Sequence, residues 1–195
     1  TSGAPVEILS AMGIATVYPE NYGALIGAQR ASVPLAQIAE EEGISPDTCS
    51  YARCHIGSVL DPAKAPQSGL PRPDLLVACN NICGTVIKWY QFLAEQLKVP
   101  LFLLDAPYQH EPEVAPHRVE YVAAQLEELI DWLAHYTGHK LDEKKLAHTL
   151  KLSNQAVSLW REIRELCRAR PSPLNAPDLF LTMAPIVVLR GTKDA

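Results

Sequence analysis

Between residues 74 and 104 the spacing of apolar positions changes twice. Leu75-Leu76-Val77-Ala78 is a short continuous apolar run and predicts a buried strand over 74–78. Val86, Trp89, Tyr90, Leu93 and Leu97 then recur at three- and four-residue spacing, which predicts a helix over 85–98. Val99-Pro100 ends that helix, because the residue before a proline is pushed to extended backbone, and a second strand follows over 101–104. Strand, helix and strand of these lengths make a βαβ unit, with parallel strands and a right-handed connection. Its carboxyl edge then carries both the 79–84 turn and Asp105-Ala106-Pro107-Tyr108.

Upstream, Val6 to Leu9 opens a run that continues through Gly13-Ile14-Ala15-Thr16-Val17 and predicts one strand, or a helix end followed by a strand. Leu25, Ile26, Val33, Leu35 and Ile38 suggest a helix over 22–42, interrupted near Pro34 and closed by Gly43. The stretch 48–60, with Cys49, Cys54 and Gly57, precedes a proline-rich surface loop over 61–73. Downstream the pattern turns helical. Val119, Val122, Leu126, Leu129, Ile130 and Leu133 mark a long helix stopping near Gly138, and Leu141, Asp142 and Leu146 resemble a hydrophobic staple around an N-cap. From Ser153 the positions Val157, Trp160, Ile163 and Cys167 share a face until Pro171 and Pro173, and a last helix over 179–189 contains Pro185. The expected class is α/β: a Rossmann-like βαβ unit with parallel strands in 1–115, then a helical subdomain in 116–195.

At 195 residues and 48% hydrophobic, the chain can bury one substantial core. A net charge of -5 and the absence of a Lys/Arg cluster argue against nucleic acid. No run of about 18 apolar residues predicts a membrane span, and the start at Thr1 has none of the regions of a secretory signal, so a cytoplasmic location is expected. The five cysteines do not form the dense framework of a small disulfide-bonded domain, which leaves reduced thiols as metal ligands or core residues.

Two of those thiols stand where the first strand hands over to the helix, in Cys79-Asn80-Asn81-Ile82-Cys83-Gly84. A helix N-terminus favours negative charge such as a thiolate or a sulfide-bearing cluster. Cys83 lies in the turn itself beside Gly84, whereas Cys79 can still belong to the strand, so Cys83 ranks above it. Cys49 lies about 34 residues upstream of Cys83 and can reach the same place. Cys54 is a weaker candidate, and Cys167 falls on the buried stripe of a late helix. Ser50, Tyr51, Arg53 and His55 surround Cys49 with groups able to bind an anion or carry a proton, as supporting residues. Asn80 and Asn81 are turn caps or ligand donors, Asp105 is a capping or a catalytic carboxylate, and His110 is a lone, exposed imidazole. There is no Cys-x-x-Cys pair, phosphate-binding loop or dinucleotide-binding glycine turn. Any ATP chemistry therefore belongs to a partner.

The run from Asp74 through Cys79-Asn80-Asn81-Ile82-Cys83-Gly84 to Trp89-Tyr90, with Val99-Pro100 to Asp105-Ala106-Pro107-Tyr108, resembles the 2-hydroxyacyl-CoA dehydratase and benzoyl-CoA reductase family. The likeness is to subunits of the 2-hydroxyglutaryl-CoA dehydratase D-component kind. Thr48-Cys49-Ser50-Tyr51-Ala52-Arg53 resembles that family's first cysteine motif, and the stretches 151–174 and 178–183 are also similar to it. The resemblance implies an extremely oxygen-sensitive iron–sulfur subunit of an anaerobic two-subunit enzyme. It implies a 4Fe-4S cluster that takes single electrons from a separate ATP-hydrolysing iron–sulfur activator and passes them to a CoA thioester. In the dehydratases a ketyl radical then expels the hydroxyl group; in the ring reductases the electrons stay in the aromatic ring. By position, Cys49 and Cys83 match the family's first two cluster ligands, while Ser50 and Asp105 are supporting candidates.

The resemblance also implies a third cysteine ligand in a second α/β domain beyond residue 195, and further helices ahead of Val6. Cys167 does not match that ligand, and the chain is read as roughly the first half of a subunit, inactive alone. Two other readings remain open. A double-cubane ATP-dependent reductase of the same superfamily would also use Cys54 and Cys79, and a metal-free α/β module would use the thiols only for packing.

Overall fold

The computed structural model describes residues 3–195. In chain order its elements are helices α1 (Val6–Ala11), α2 (Pro19–Ala28), α3 (Ser32–Glu41) and α4 (Ser50–Leu60), then strand β1 (Leu76–Cys79), helix α5 (Gly84–Leu97) and strand β2 (Leu101–Leu104). Helices α6 (Pro116–Thr137), α7 (Glu143–Leu166), α8 (Ala176–Thr182) and α9 (Ala184–Val187) complete it. Two short 3-10 turns, Pro62–Lys64 and Pro66–Ser68, shape the proline-rich loop before β1. The chain divides into two compact units, one over Val17–Leu129 with Gly3, the other joining Ala4–Thr16 to Ile130–Ala195.

The βαβ unit forms where the sequence places it. β1 and β2 pair in parallel, with Leu76 opposite Leu101 and Cys79 opposite Leu104, and every residue of β1 is buried. The strand starts two residues later than the apolar run predicts and extends one further, to Cys79, because that is where a partner exists on β2. α5 packs on both strands through Val86, Trp89, Tyr90 and Leu93. Lys98, in left-handed conformation at φ 53°, turns the chain out of α5 into Val99-Pro100. Ala39 of α3 and Ala52 and Ile56 of α4 join the same core as Leu76, Ala78 and those four α5 residues.

The stretch around Cys49 and Cys54 is helix, α4, and its small residues explain how tightly it packs. Gly57 lies against the Leu35 backbone of α3, where a Cβ would come within 1.9 Å of the Leu35 carbonyl oxygen. Tyr22, Ile26, Leu35, Ala36, Cys54 and Ala65 fill a second cluster between α2, α3 and α4.

Several expectations need correction. The stretch 13–17 forms no strand, and of the two readings the helix end holds: α1 ends at Ala11 with Met12 as its C-cap, Gly13 takes a left-handed φ of 73°, and the run beyond it is largely exposed, Val17 at 45%. The interruption expected near Pro34 within 22–42 is real, but it lies earlier and separates two full helices. The break falls at 29–31, where Arg30 has φ 57°, and Pro34 sits in the first turn of α3, where its missing N–H costs no helical bond. The terminal helix also splits: Asn175 and Asp178 build a capping box that starts α8 early, and α9 restarts as one turn around Pro185.

In the other unit, α7 is a single helix from the Asp142 N-cap, whose side chain accepts the Lys145 amide at 3.0 Å. α1 packs on α7. Glu7 of α1 receives the Ser153 hydroxyl at 2.7 Å and pairs with Arg190 at 2.9 Å. Among the described residues no helix is long and apolar enough to cross a membrane.

Candidate metal centre

Each of the two highest-ranked thiols caps a helix. Cys83 is the N-cap of α5, with extended backbone at φ -160° and ψ 158°, and its carbonyl accepts the Val86 amide at 3.2 Å. Cys49 is the N-cap of α4, with its carbonyl accepting the Arg53 amide at 3.1 Å. Neither thiol bonds to its own helix, and both are exposed. The free amides of a helix start face outward toward whatever anion lies there. A Cβ at Gly84 would meet nothing within 4 Å, so the space beside Cys83 is open.

The remaining thiols have other surroundings. Cys54 is 2% exposed, and burial pushes its thiol up, although the Ser32 carbonyl accepts its S–H at 3.5 Å. The Arg53 charge also works against that rise without overcoming it. Cys79 is wholly buried in β1, and burial raises its thiol as well. Cys167 is half-buried and directs its sulfur to the Ile163 carbonyl one turn back, at 3.7 Å.

The polar residues around Cys49 are largely engaged. The Arg53 guanidinium pairs with Glu40 of α3 and donates from Nε to the Thr48 carbonyl at 2.9 Å, bracing the chain just before Cys49. His55 points inward, away from any role as a surface proton carrier. Burial lowers its pKa from 6.5 to about 4, and its neutral Nδ1 accepts the indole N–H of Trp89 at 3.2 Å. Ser50 and Tyr51 are exposed at the start of α4.

At the carboxyl edge of the sheet, Asn80 joins the two strand ends. Its Oδ1 accepts the Ala106 amide at 2.7 Å and its Nδ2 donates to the Asp105 carboxylate. Two residues of α6 complete the network. Tyr121 donates to the other Asp105 oxygen at 2.9 Å, which pushes the tyrosine pKa up, and Gln125 exchanges bonds with the Asp105 backbone at 2.8 and 2.9 Å. Sequence reasoning missed Tyr121 and Gln125. Their one signal is polar spacing of four residues on a helix otherwise read for its apolar face. His110 stacks on Tyr108 with ring centroids 6.0 Å apart, both exposed.

Thiolates are the natural donors for iron–sulfur clusters, so Cys49 and Cys83 fit such a group chemically. Among the described residues, however, no set of three or more His, Cys, Asp or Glu side chains is placed to hold a metal.

The chain matches the family model described as 2-hydroxyglutaryl-CoA dehydratase, D-component, over residues 1–195. It is 40% identical over 195 residues to the (R)-2-hydroxyisocaproyl-CoA dehydratase alpha subunit of Clostridioides difficile, covering all of this chain and 48% of that protein. Identity to the (R)-phenyllactyl-CoA dehydratase alpha subunit of Clostridium sporogenes is 37% over 194 residues, covering all of this chain and 47% of the relative. A benzoyl-CoA reductase subunit of Thauera aromatica is 29% identical over 193 residues, 97% of this chain and 45% of that protein. The chain spans about half the length of these curated relatives. With a family match from end to end, joined by dehydratase and ring-reductase subunits alike, the chain belongs to the 2-hydroxyacyl-CoA dehydratase and benzoyl-CoA reductase family.

Proposed function

We propose that this chain is the cluster-bearing half of an alpha-type subunit of a cytoplasmic 2-hydroxyacyl-CoA dehydratase. The observation that carries the reading is the pair of exposed cysteines, each the N-cap of a helix, with the helices packed on one another in one unit. Cys49 and Cys83 supply two ligands of a 4Fe-4S cluster, and a third comes from a part of the protein outside these residues. When bound, the cluster supplies single electrons for reduction of a CoA thioester. The chain's own contribution is to hold two thiolates at helix starts, where outward-facing amides offset their charge. Identities of 37% and 40% to dehydratase alpha subunits favour a 2-hydroxyacyl substrate over an aromatic ring. The alpha designation of those relatives supports a second, homologous subunit as partner. An ATP-hydrolysing iron–sulfur activator supplies the electrons.

The burial of Cys54 and Cys79 speaks against the double-cubane reading, since both sulfurs are packed in the core rather than open to a surface cluster as Cys49 and Cys83 are. Anaerobic reconstitution of the full-length subunit tests the assignment. Iron and sulfide at about four each per chain, lost in both Cys49→Ser and Cys83→Ser but kept in Cys54→Ser, support it. A cluster that survives both of the first two substitutions, or a wild-type protein that takes up none, overturns it.

A further inference from the structure

Cys49 and Cys83 belong to different helices, so their separation is set by how α4 sits against α5. Most of that interface is aliphatic: Ala52 and Ile56 share a core with Val86 and Leu93. Aliphatic surfaces specify burial but discriminate weakly between neighbouring registers, because a helix that slides or turns slightly still buries similar area. One polar contact in this interface is directional. The Trp89 indole N–H donates to Nδ1 of His55 at 3.2 Å, with the rings edge to face at 5.6 Å, and both residues are buried at 4% exposure. Tyr22 also packs edge-on against His55 at 6.1 Å, and Tyr90 against Trp89 at 5.8 Å, so each bonded ring has a second aromatic neighbour.

The contact also has a telling position. His55 is six residues after Cys49, and Trp89 is six residues after Cys83. Each bonded ring therefore lies about 9 Å along its helix from the thiol-bearing N-cap. The same length of rigid helix links the bond to either thiol, and a slip at the bond is passed to the thiols undiminished.

We propose that the His55–Trp89 hydrogen bond is a positioning device, fixing the register of α4 on α5 and with it the separation of Cys49 from Cys83. The inference rests on the cluster-ligand reading above. Breaking the bond leaves a buried donor or acceptor without a partner, a penalty that sliding helices cannot escape. His55 and Trp89 touch no cluster atom in this account; they act through the two cysteines.

The test uses the full-length subunit, reconstituted anaerobically, and compares His55→Asn with His55→Leu. The two side chains are nearly the same size, so both lose the ring's packing, but Asn keeps an acceptor oxygen close to the position of Nδ1 and Leu does not. Trp89→Phe removes the donor from the other side. Release of iron to a chelator is followed alongside the electron paramagnetic resonance spectrum of the reduced cluster and the thermal midpoint. The expected result is release roughly tenfold faster in His55→Leu and Trp89→Phe than in His55→Asn, with shifted g-values, in the range seen for groups that orient metal ligands. Equal release and identical spectra in all three overturn the inference, even if their thermal midpoints fall, because that is what a purely structural contact would give. A wild-type protein that takes up no cluster instead overturns the ligand reading, and the positioning role falls with it.

Discussion

The two units are both mainly helical, yet they use their polar side chains in different ways. In the unit of Ala4–Thr16 and Ile130–Ala195, polar groups stitch chain ends together: Glu7 binds Ser153 and Arg190, and the Met12 carbonyl lies 2.8 Å from the His139 ring. Its one cysteine, Cys167, bonds within its own helix. In the unit of Val17–Leu129, Arg53 braces the chain just before Cys49, Asn80, Gln125 and Tyr121 tie down the strand end at Asp105 and Ala106, and the two exposed thiols bond to nothing in their helices. Structural polar contacts close on themselves, whereas the Cys49 and Cys83 surroundings are built and left open.

That contrast breaks most visibly in the thiols. Cys83→Ser in the full-length subunit is expected to remove the cluster signal, with iron per chain falling at least about tenfold, because a hydroxyl is a far poorer ligand for iron than a thiolate. Cys167→Ser is expected to leave iron content and spectrum unchanged. Equal losses in the two variants would mean that the open and closed surroundings do not differ in function.

Two glycines sharpen the same contrast by packing. Gly57→Ala places a Cβ within 1.9 Å of the Leu35 carbonyl oxygen and 2.7 Å of its carbon, and backbone cannot step aside as a flexible side chain can. We expect a loss of about 3 kcal/mol, measured by denaturant unfolding, as α3 and α4 are forced apart. Gly84→Ala meets nothing within 4 Å and sits at the start of a helix. It should stabilise the apoprotein by about 0.5 kcal/mol through the unfolded chain's lost freedom. A destabilised Gly84→Ala apoprotein would show that the space beside Cys83 is not open.

His55 gives the buried side of the site a pH signature. Its pKa is lowered by burial from 6.5 to about 4, so between those values the unfolded chain binds a proton that the folded chain does not. The stability from neutral His55 is full above about pH 6.5 and is lost as pH falls through the window toward 4, by about 3 kcal/mol at the low end. Carboxylates titrate over the same range. The informative quantity is therefore the difference in thermal midpoint between wild type and His55→Asn, expected to shrink steadily from pH 6.5 to 4. A constant difference would mean that His55 is not held neutral by its surroundings.

How much of this the sequence carries depends on whether the cause is local. The βαβ unit is legible because Val86, Trp89, Tyr90, Leu93 and Leu97 keep a helical period between two apolar runs, and Lys98 to Pro100 punctuate it. The strand expected over 13–17 is absent because that run is left largely exposed after the α1 C-cap, which local sequence does not reveal. The cysteines in question are visible as motifs, and the turn around Cys83 as a helix start. Their exposure, and the burial of Cys54 on the same helix that Cys49 caps, follow from how α4 lies on α3, set by the Gly57 to Leu35 approach across a separation of 22 residues. His55 reads from sequence as a polar neighbour of Cys49, and only the packing of α4 against α5 turns it inward to Trp89.

The smallest expected effect lies at the sheet edge, where Asp105 is bonded on both carboxylate oxygens, to Asn80 and to Tyr121. Tyr121 is 47% exposed, so water can replace its hydroxyl when Phe is substituted. Tyr121→Phe should therefore cost little stability in denaturant unfolding, while the bonds of Asn80 keep the strand ends joined. The informative part is the tyrosine itself. Its bond to Asp105 raises the phenol pKa, since the carboxylate favours the protonated donor and opposes the phenolate charge. Asp105→Asn should bring the Tyr121 titration back toward the ordinary tyrosine value, read as the ultraviolet difference between wild type and variant. If Asp105 instead serves as an acid or base at this edge, Asp105→Asn will lower turnover of the assembled enzyme by roughly 100-fold or more, far beyond anything Tyr121→Phe produces. Comparable small effects from both substitutions would assign the Asp105 carboxylate to holding the edge, alongside Asn80.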